Sequence, residues 1–418
     1  MPDTSVVTDG AGPSDTGSDA GTATGKVVDL AGVGMAGCKV ASGGATRVTA
    51  ADGSFTIPLT PPYDLTIANA DSSSVLVLLG VTRLDPVIQF PGDTAHPRVN
   101  GKFQGTIPAL AAGQGGVVAF APTTPSRFAF ARFINAPTSA YELSVEWATP
   151  NDLAGTIYLF EFTRGTANPA ATFLGYTSVP STTLSAGQTK TVDFPATLTS
   201  VTTGTINAAM TLPVGYTKGS ILAEMRLPGS QANLYVNQSI EPGALSFSVP
   251  VPVMTGAAYA LSLRGTGPNS GEQTIVRTGV ALGATATVTL PAAPALSSPD
   301  DAATDVDGNT VFTWSSAAGL SIRSYSPKDD ANYGKPGYPS VFVVGVSQTG
   351  KLPDLSAVGA SISPLASYEW FVLTKANIAS IDDFMKEPRV DIFCTGQQNF
   401  GGDDGACAYS VSREFVTK

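Results

Sequence analysis

Apolar and polar residues alternate in short runs along this chain, and Gly, Pro, Asn or Asp interrupts them roughly every ten residues. That rhythm predicts strands with one face in a core, joined by tight turns, as in sandwiches. The stretch TAADGSFTIPL at 49–59 is representative. Phe55, Ile57 and Leu59 alternate toward one face, Val48 answers from the preceding strand, and Asp52-Gly53 supplies the positive φ of a hairpin corner. Asp52 is therefore read as a turn residue and not as a ligand. Helical periodicity is confined to SIDDFMKE at 380–387, with Ser380 as N-cap and Asp382 and Asp383 in the first turn. Residues 1–24 are polar and acidic with almost no large apolar side chain. Such a segment buries too little surface to offset its ordering entropy, and a disordered tether is expected.

Two central segments read as copies of one domain, 96–198 and 199–292. Gly105-Thr106-Ile107 recurs at Gly204-Thr205-Ile206, an offset of 99; Leu143 recurs at Leu245, an offset of 102; Phe194 recurs at Leu290, an offset of 96. Offsets that drift by a few residues describe a duplication with loop insertions. The expected inward residues are Leu143, Val145 and Trp147 against Leu245, Phe247 and Val249. Tyr158, Phe160 and Phe162 likewise match Tyr259, Leu261 and Leu263. Ser144, Glu146 and Glu161 in one copy, and Ser246, Ser248 and Ser262 in the other, are expected to face solvent. The glutamates have no counterparts in the second copy, which argues against a paired-carboxylate glycosidase site on these strands.

Composition narrows the class. Hydrophobic residues make up 43% of the 418, enough for several cores, while charged residues make up only 13%. A surface dressed in Ser, Thr, Asn and Gly fits a secreted or cell-surface β protein. The net charge of −10, with its cations scattered, leaves no footprint for nucleic acid. Apolar runs such as VLVLLGV at 75–81 are far too short for a bilayer-spanning helix. Nucleophile elbows, phosphate-binding loops, dinucleotide fingerprints and zinc quartets are all missing, and the one histidine, His96, sits before a proline in a linker-like stretch. Nucleophilic and zinc catalysis are not expected.

The two outer segments carry family resemblances. GKVVDLAGVGMAGCKV and the text after it resemble the carboxypeptidase regulatory-like domain, a small transthyretin-like β-sandwich, over 25–95. The matching positions are Gly25, Val27 and Asp29, then Gly37 to Val40, Asp52-Gly53 with Phe55, and Leu65 and Ile67. The resemblance implies a folding and spacing accessory. Residues 293–418 resemble a fibronectin type III domain through Trp314, Tyr368-Glu369-Trp370 and the closing Arg413 to Thr417. They depart from it in the long RSYSPKDDANYGKPGYPSVF connection and in an insertion at 375–408. The acidic tether resembles the one that follows the lipidated cysteine of bacterial surface lipoproteins, which implies a lipid anchor upstream. The expected architecture is thus all-β: tandem sandwiches, transthyretin-like, two duplicated and fibronectin III-like, after the tether.

Candidate chemistry concentrates near the C-terminus. Loops beyond ~12–15 residues are usually functional or disordered, which makes the 375–408 insertion informative. A Cys394–Cys407 disulfide would close it, worth roughly 3 kcal/mol on chain-entropy grounds, leaving Cys38 as a buried thiol. Tyr325, Tyr333 and Tyr338, among Lys328, Asp329 and Asp330, offer flat apolar area with polar handles for a sugar or peptide. Asp403 and Asp404 in GGDDG, with Asp391, are candidates for a polar contact or a cation. DVDGN at 305–309 begins like a calcium loop but has its glycine one residue early and Ser316 at the twelfth position, so it is read as a turn. No cofactor is required; Ca2+ is the one the acids admit. The expectation is a non-catalytic protein of the extracellular side or bacterial envelope, acting in adhesion or ligand binding on a protein or glycan, with the C-terminal domain as its head. The alternative is a polysaccharide-binding accessory of a secreted hydrolase.

Overall fold

The computed structural model describes residues 21–418 other than 30–31, 92–96, 124–129, 149–150, 165–171, 217, 231–232, 243–244, 268–271, 317–318, 330, 336, 377 and 386–404. His96 and most of the expected tether lie outside the described residues. The chain is nearly all β. Its first module contains β1 (Gly21–Val28), β2 (Lys39–Ser42), β3 (Ala45–Val48), β4 (Ser54–Leu59), β5 (Tyr63–Ala68), β6 (Ser74–Val81) and β7 (Val87–Gln89). β1 starts four residues before the expected boundary at 25, because Gly21 to Thr24 already pair with β4. The corner at Asp52 is a turn: its carboxylate accepts from the Ser54 amide at 3.0 Å and the Ser54 hydroxyl at 2.6 Å. Gly53 has φ 80°, and a Cβ there would lie 2.2 Å from the Val27 carbonyl oxygen. Val48 does not answer Phe55. It pairs with Lys39 on the face opposite Val40 and is 62% exposed.

One strand order recurs three times. In the first module β4-β1-β7 form one sheet, with β4 antiparallel and β7 parallel to β1, while β3-β2-β5-β6 run consecutively in another. The second module contains β8 (Val99–Thr106), β9 (Gln114–Pro122), β10 (Phe130–Asn135), β11 (Ala140–Trp147), β12 (Leu153–Thr163), β13 (Thr172–Leu184), β14 (Thr189–Thr191) and a short edge, β15 (Thr199–Ser200). Its sheets are β11-β8-β14 and β10-β9-β12-β13-β15. The third module contains β16 (Thr202–Thr211), β17 (Lys218–Arg226), β18 (Asn233–Pro242), β19 (Ser246–Val253), β20 (Ala258–Thr266), β21 (Glu272–Thr278) and β22 (Thr285–Thr289), ordered β19-β16-β22 and β18-β17-β20-β21. Strands one to seven of each module take the same places: fourth-first-seventh, and third-second-fifth-sixth.

The pairing also corrects the expected alignment of the duplicated modules. Lys102 sits opposite Ser144 and Thr189, and Asn207 sits opposite Ser248 and Thr285. The structural offset is therefore 105 on the first strand and 104 on the fourth, not 99 and 102. Phe247, not Leu245, corresponds to Leu143, and Leu245 is 47% exposed. Gly105 lies near the end of its strand and Gly204 near the start of its own, so the shared Gly-Thr-Ile is not an equivalence.

Two strands of the second module are buried on both faces. Val118, Phe120, Ile157 and Leu159 pack inside that module. Val117, Tyr158, Phe160 and Phe162 instead join one cluster with Ile206, Met225 and Val249 of the third. Glu161 shares the face of Ile157 and Leu159 and is only 7% exposed, against the expectation of a solvated position. Gly116 and Gly175 are its cross-strand neighbours, and burial raises its pKa. Ser262, also expected outside, is fully buried because β20 is covered on both faces, with Ala260 beside it.

The fourth module contains β23 (Ala295–Ser298), β24 (Ala303–Val306), β25 (Phe312–Ser315), β26 (Leu320–Pro327), β27 (Ser340–Gly345), β28 (Thr349–Gly350), β29 (Ser367–Lys375), α1 (Ile381–Phe384), β30 (Gly405–Tyr409) and β31 (Arg413–Thr417). β23-β25-β28 face a larger sheet through Trp314, Phe312, Tyr325, Trp370 and Phe415. Phe312 stands edge-on to Trp370 at 4.9 Å and to Tyr325 at 5.1 Å.

The modules are not a string. β27 pairs in parallel with β6, from Ser340 opposite Ser74 to Val344 opposite Leu78. β30 pairs with β21 of the third module and with β29 of the fourth. A single 14-stranded sheet thus runs from the third module through the fourth to the first. One face of its β6–β27 seam carries Leu76, Leu78, Phe342 and Val344 into the core of the first module; the other carries Val75, Val77, Val341 and Val343 into the core of the fourth. Strands covered on both faces read as continuous apolar runs.

Candidate functional site

The C-terminal candidates separate once placed. Tyr325 lies on β26 with 0% exposure, so it is a core residue and not a loop aromatic. Its strand alternates Leu320 and Ile322 toward the first module with Arg323 and Tyr325 toward the fourth, and the intervening serines hid this in the sequence. Tyr338 packs partly buried on the same core. Tyr333 alone is open, at 61% exposure. It rides on a turn organised by Asp329, whose carboxylate accepts from the Ala331 amide at 2.9 Å and from Asn332 Nδ2 at 3.1 Å. Lys328 forms an ion pair with Glu414. The three tyrosines therefore do not build a common aromatic face. Asp330, Asp391, Cys394, Asp403 and Asp404 lie outside the described residues.

The insertion is partly structural at both ends. Ser380 caps α1, its hydroxyl accepting from the Asp383 amide at 3.1 Å as the sequence predicts. Ile381, Phe384 and Met385 enter the core of the first module. Asp382 accepts from the amides of Thr82 at 3.1 Å and Arg83 at 3.3 Å and from the Thr82 hydroxyl. Burial pushes its carboxyl up, but these hydrogen bonds and Arg83 outweigh it and hold the carboxyl below the usual range. At the other end Gly405 to Ala408, expected to belong to the loop, form part of β30, and Cys407 is buried there. Cys38 is buried in the core of the first module.

In DVDGN, Asp307 also serves the backbone. Asp307 accepts from the amides of Asn309 at 2.8 Å and Thr310 at 3.2 Å, and the Asn309 bond leads in holding its carboxyl below the usual range. Among the described residues no group of three or more His, Cys, Asp or Glu could hold a metal ion. No helix among them is long and apolar enough to cross a membrane.

A groove that sequence reasoning passed over lies on the second module. Its volume is about 490 Å3, and Asn100, Lys102, Ser144, Gln188, Thr189 and Phe130 help to line it. Glu142 and Glu146 line it as well. Alternation along β8 and β11 turns Leu143 and Val145 inward and leaves these polar side chains on the outer face. Lys102 Nζ meets Glu142 Oε2 at 3.0 Å, and Arg98 Nη1 meets Glu146 Oε1 at 2.8 Å, both pairs partly open to solvent. Such exposed pairs add little stability. Glu146 was legible as solvent-facing; that it shares a concave surface with Lys102 and Gln188 required the β8–β11–β14 pairing.

No family model and no curated protein sequence matches the chain. Among solved structures it is similar at 8% identity to the Bacillus anthracis TIE protein, over 65% of this chain and half of that one, with a TM-score of 0.17. Two structures of BcpA, the major pilin subunit of Bacillus cereus, are similar at 12% and 11% identity. They match 66% and 75% of this chain, 88% and 96% of theirs, with TM-scores of 0.12 and 0.11.

Proposed function

We propose that the chain is a non-catalytic protein of the bacterial cell surface or the extracellular side, an interlocked scaffold that presents ligand-binding faces to a protein or glycan at the envelope. The observation that carries this reading is the seam of β6 with β27, which joins the first and last modules in one sheet. A seam buried on both faces resists bending and holds exposed faces in a fixed relation. That arrangement suits display and adhesion, and it needs neither a cofactor nor a metal. The sparse charge and Ser/Thr-rich surface support the same reading.

Because α1 docks on the first module and β30 bridges two others, the C-terminal module is proposed as part of the scaffold with Tyr333 at its margin, not as a free head, and Asp403 and Asp404 remain proposed binding residues. Attachment through a lipid upstream of the tether and a Cys394–Cys407 bridge belong to the proposal. Protease treatment of intact cells followed by immunoblotting tests the placement. Loss of the protein without lysis supports it, and full protection until lysis contradicts it. Non-reducing peptide mapping tests the bridge. The polysaccharide-binding alternative is favoured by the groove on β8 and β11.

A further inference from the structure

Because the three seven-strand modules share one strand order, equivalent positions can be compared within a single chain. On the groove face of the second module stand Arg98, Lys102, Glu142 and Glu146. In the third module the positions that the pairing makes equivalent are Thr203, Asn207, Ser246 and Pro250. In the first module Lys26 is retained, Thr56 stands where Glu146 stands, and the place of Glu142 falls on Asp52 at the hairpin corner, just past the end of the β1–β4 pairing. One fold thus carries this sheet face in three versions, and only the second module places two carboxylates on its strands, each ion-paired to a cation. The scaffold does not need the pair: the third module forms the same sheet with Ser246 and Pro250 in those places.

We infer that this face binds a neutral oligosaccharide, with Glu142 and Glu146 accepting hydrogen bonds from sugar hydroxyls while Lys102, Asn100 and Gln188 donate to them. The inference rests on the proposal of a surface protein that presents binding faces, and it names the face and the ligand class. Two carboxylates and two cations balance to no net charge, which favours no polyion. Each sugar hydroxyl is both donor and acceptor, and vicinal hydroxyls match a surface where the two kinds of group alternate a few ångströms apart. The half-buried Phe130 ring supplies apolar area at one side for a pyranose face. A peptide strand adding to a sheet edge would instead need apolar pockets for its alternate side chains, and the side chains on this outer face are mainly polar.

The test is titration calorimetry of the full chain with cellohexaose, chitohexaose, mannohexaose and maltohexaose, repeated on the Glu142→Gln/Glu146→Gln double variant and on Phe130→Ala. Both glutamines are isosteric and exposed, and an unchanged melting temperature verifies that the double variant folds. Binding of at least one hexasaccharide, weakened tenfold or more in the double variant, is the expected result. Absence of binding by all four sugars, or affinity unchanged within twofold in the double variant, overturns the inference. Surface placement is read separately from protease access on intact cells, so failure of one reading is distinguishable from failure of the other.

Discussion

Truncating Phe342 to alanine should loosen the first module although the residue belongs to the fourth. Phe342 lies on β27, 7% exposed, in the same buried cluster as Val27, Phe55, Leu76 and Leu78. Removing a buried phenylalanine ring typically costs about 3–5 kcal/mol through lost transfer energy and the cavity left behind. For a cooperative unit near 200 residues, at about 2–4 °C per kcal/mol, the melting temperature should fall by roughly 6–20 °C. Val341→Ala is the matched control. It is adjacent, fully buried and faces the opposite core, with Trp314 and Tyr368. Hydrogen exchange read by mass spectrometry separates the two. Phe342→Ala should speed exchange in peptides covering β1 and β4, the sheet that faces it, while Val341→Ala should act first on β23 and β25. If Phe342→Ala left β1 and β4 fully protected and loosened only the fourth module, the shared-core reasoning would be refuted.

Other consequences are sharper in pH or locality. Glu161→Gln should raise the melting temperature at pH 7.5 and leave it unchanged near pH 4. Burial raises the folded-state pKa of Glu161, so its side chain is tolerated below the unfolded pKa and penalises folding increasingly as pH rises through the folded value. A thermal melt of both proteins at the two pH values checks this. Asp382→Ala should release α1 from Thr82 and Arg83 and cost about 1–2 kcal/mol, seen as faster limited proteolysis near residue 385. The loss should shrink in acid, because a depressed carboxyl contributes stability only above its unfolded pKa and loses it as pH falls through the folded one. Gly350→Ala should destabilise the fourth module, since a Cβ there would lie 1.6 Å from Arg323 Nη1, and that guanidinium is buried over Trp314 and donates to the Lys351 carbonyl, so it cannot swing clear without losing both contacts. A drop in the chemical-denaturation midpoint would register it.

What the chain reveals in advance depends on how local the physics is. Corners such as Asp52-Gly53 and the Ser380 cap are set within four residues, and the structure places both as the pattern predicts. Alternation located most strands, but it assumes one wet face. That assumption fails at Glu161 and Ser262, whose strands are covered on both sides. It fails in the opposite sense at Val48, where turn register and not hydrophobicity chose the face. The third occurrence of the strand order was hidden because topology is conserved by backbone pairing while the residues differ. Gly25-Lys26 and Gly101-Lys102 take equivalent places, but the third module has Ile206-Asn207 there. The seam did leave a trace. VLVLLGV at 75–81 and VFVVG at 341–345 are non-alternating runs, as strands with two dry faces must be. Which run would meet which is a matter of contacts more than 260 residues apart, beyond any local signal. The groove was likewise invisible, since its residues come from four strands and the turn before β14.

The direct test of the joined first and last modules is a cross-link at the start of their seam. Ser74 and Ser340 are opposed on neighbouring strands, whose separation of ~4.8 Å lies within the Cα range a disulfide spans. Oxidising the Ser74→Cys/Ser340→Cys variant and mapping its peptides by mass spectrometry should yield that bond within a single monomeric chain. Recovery of both thiols unbridged, or bridged only between separate copies, would contradict the shared sheet.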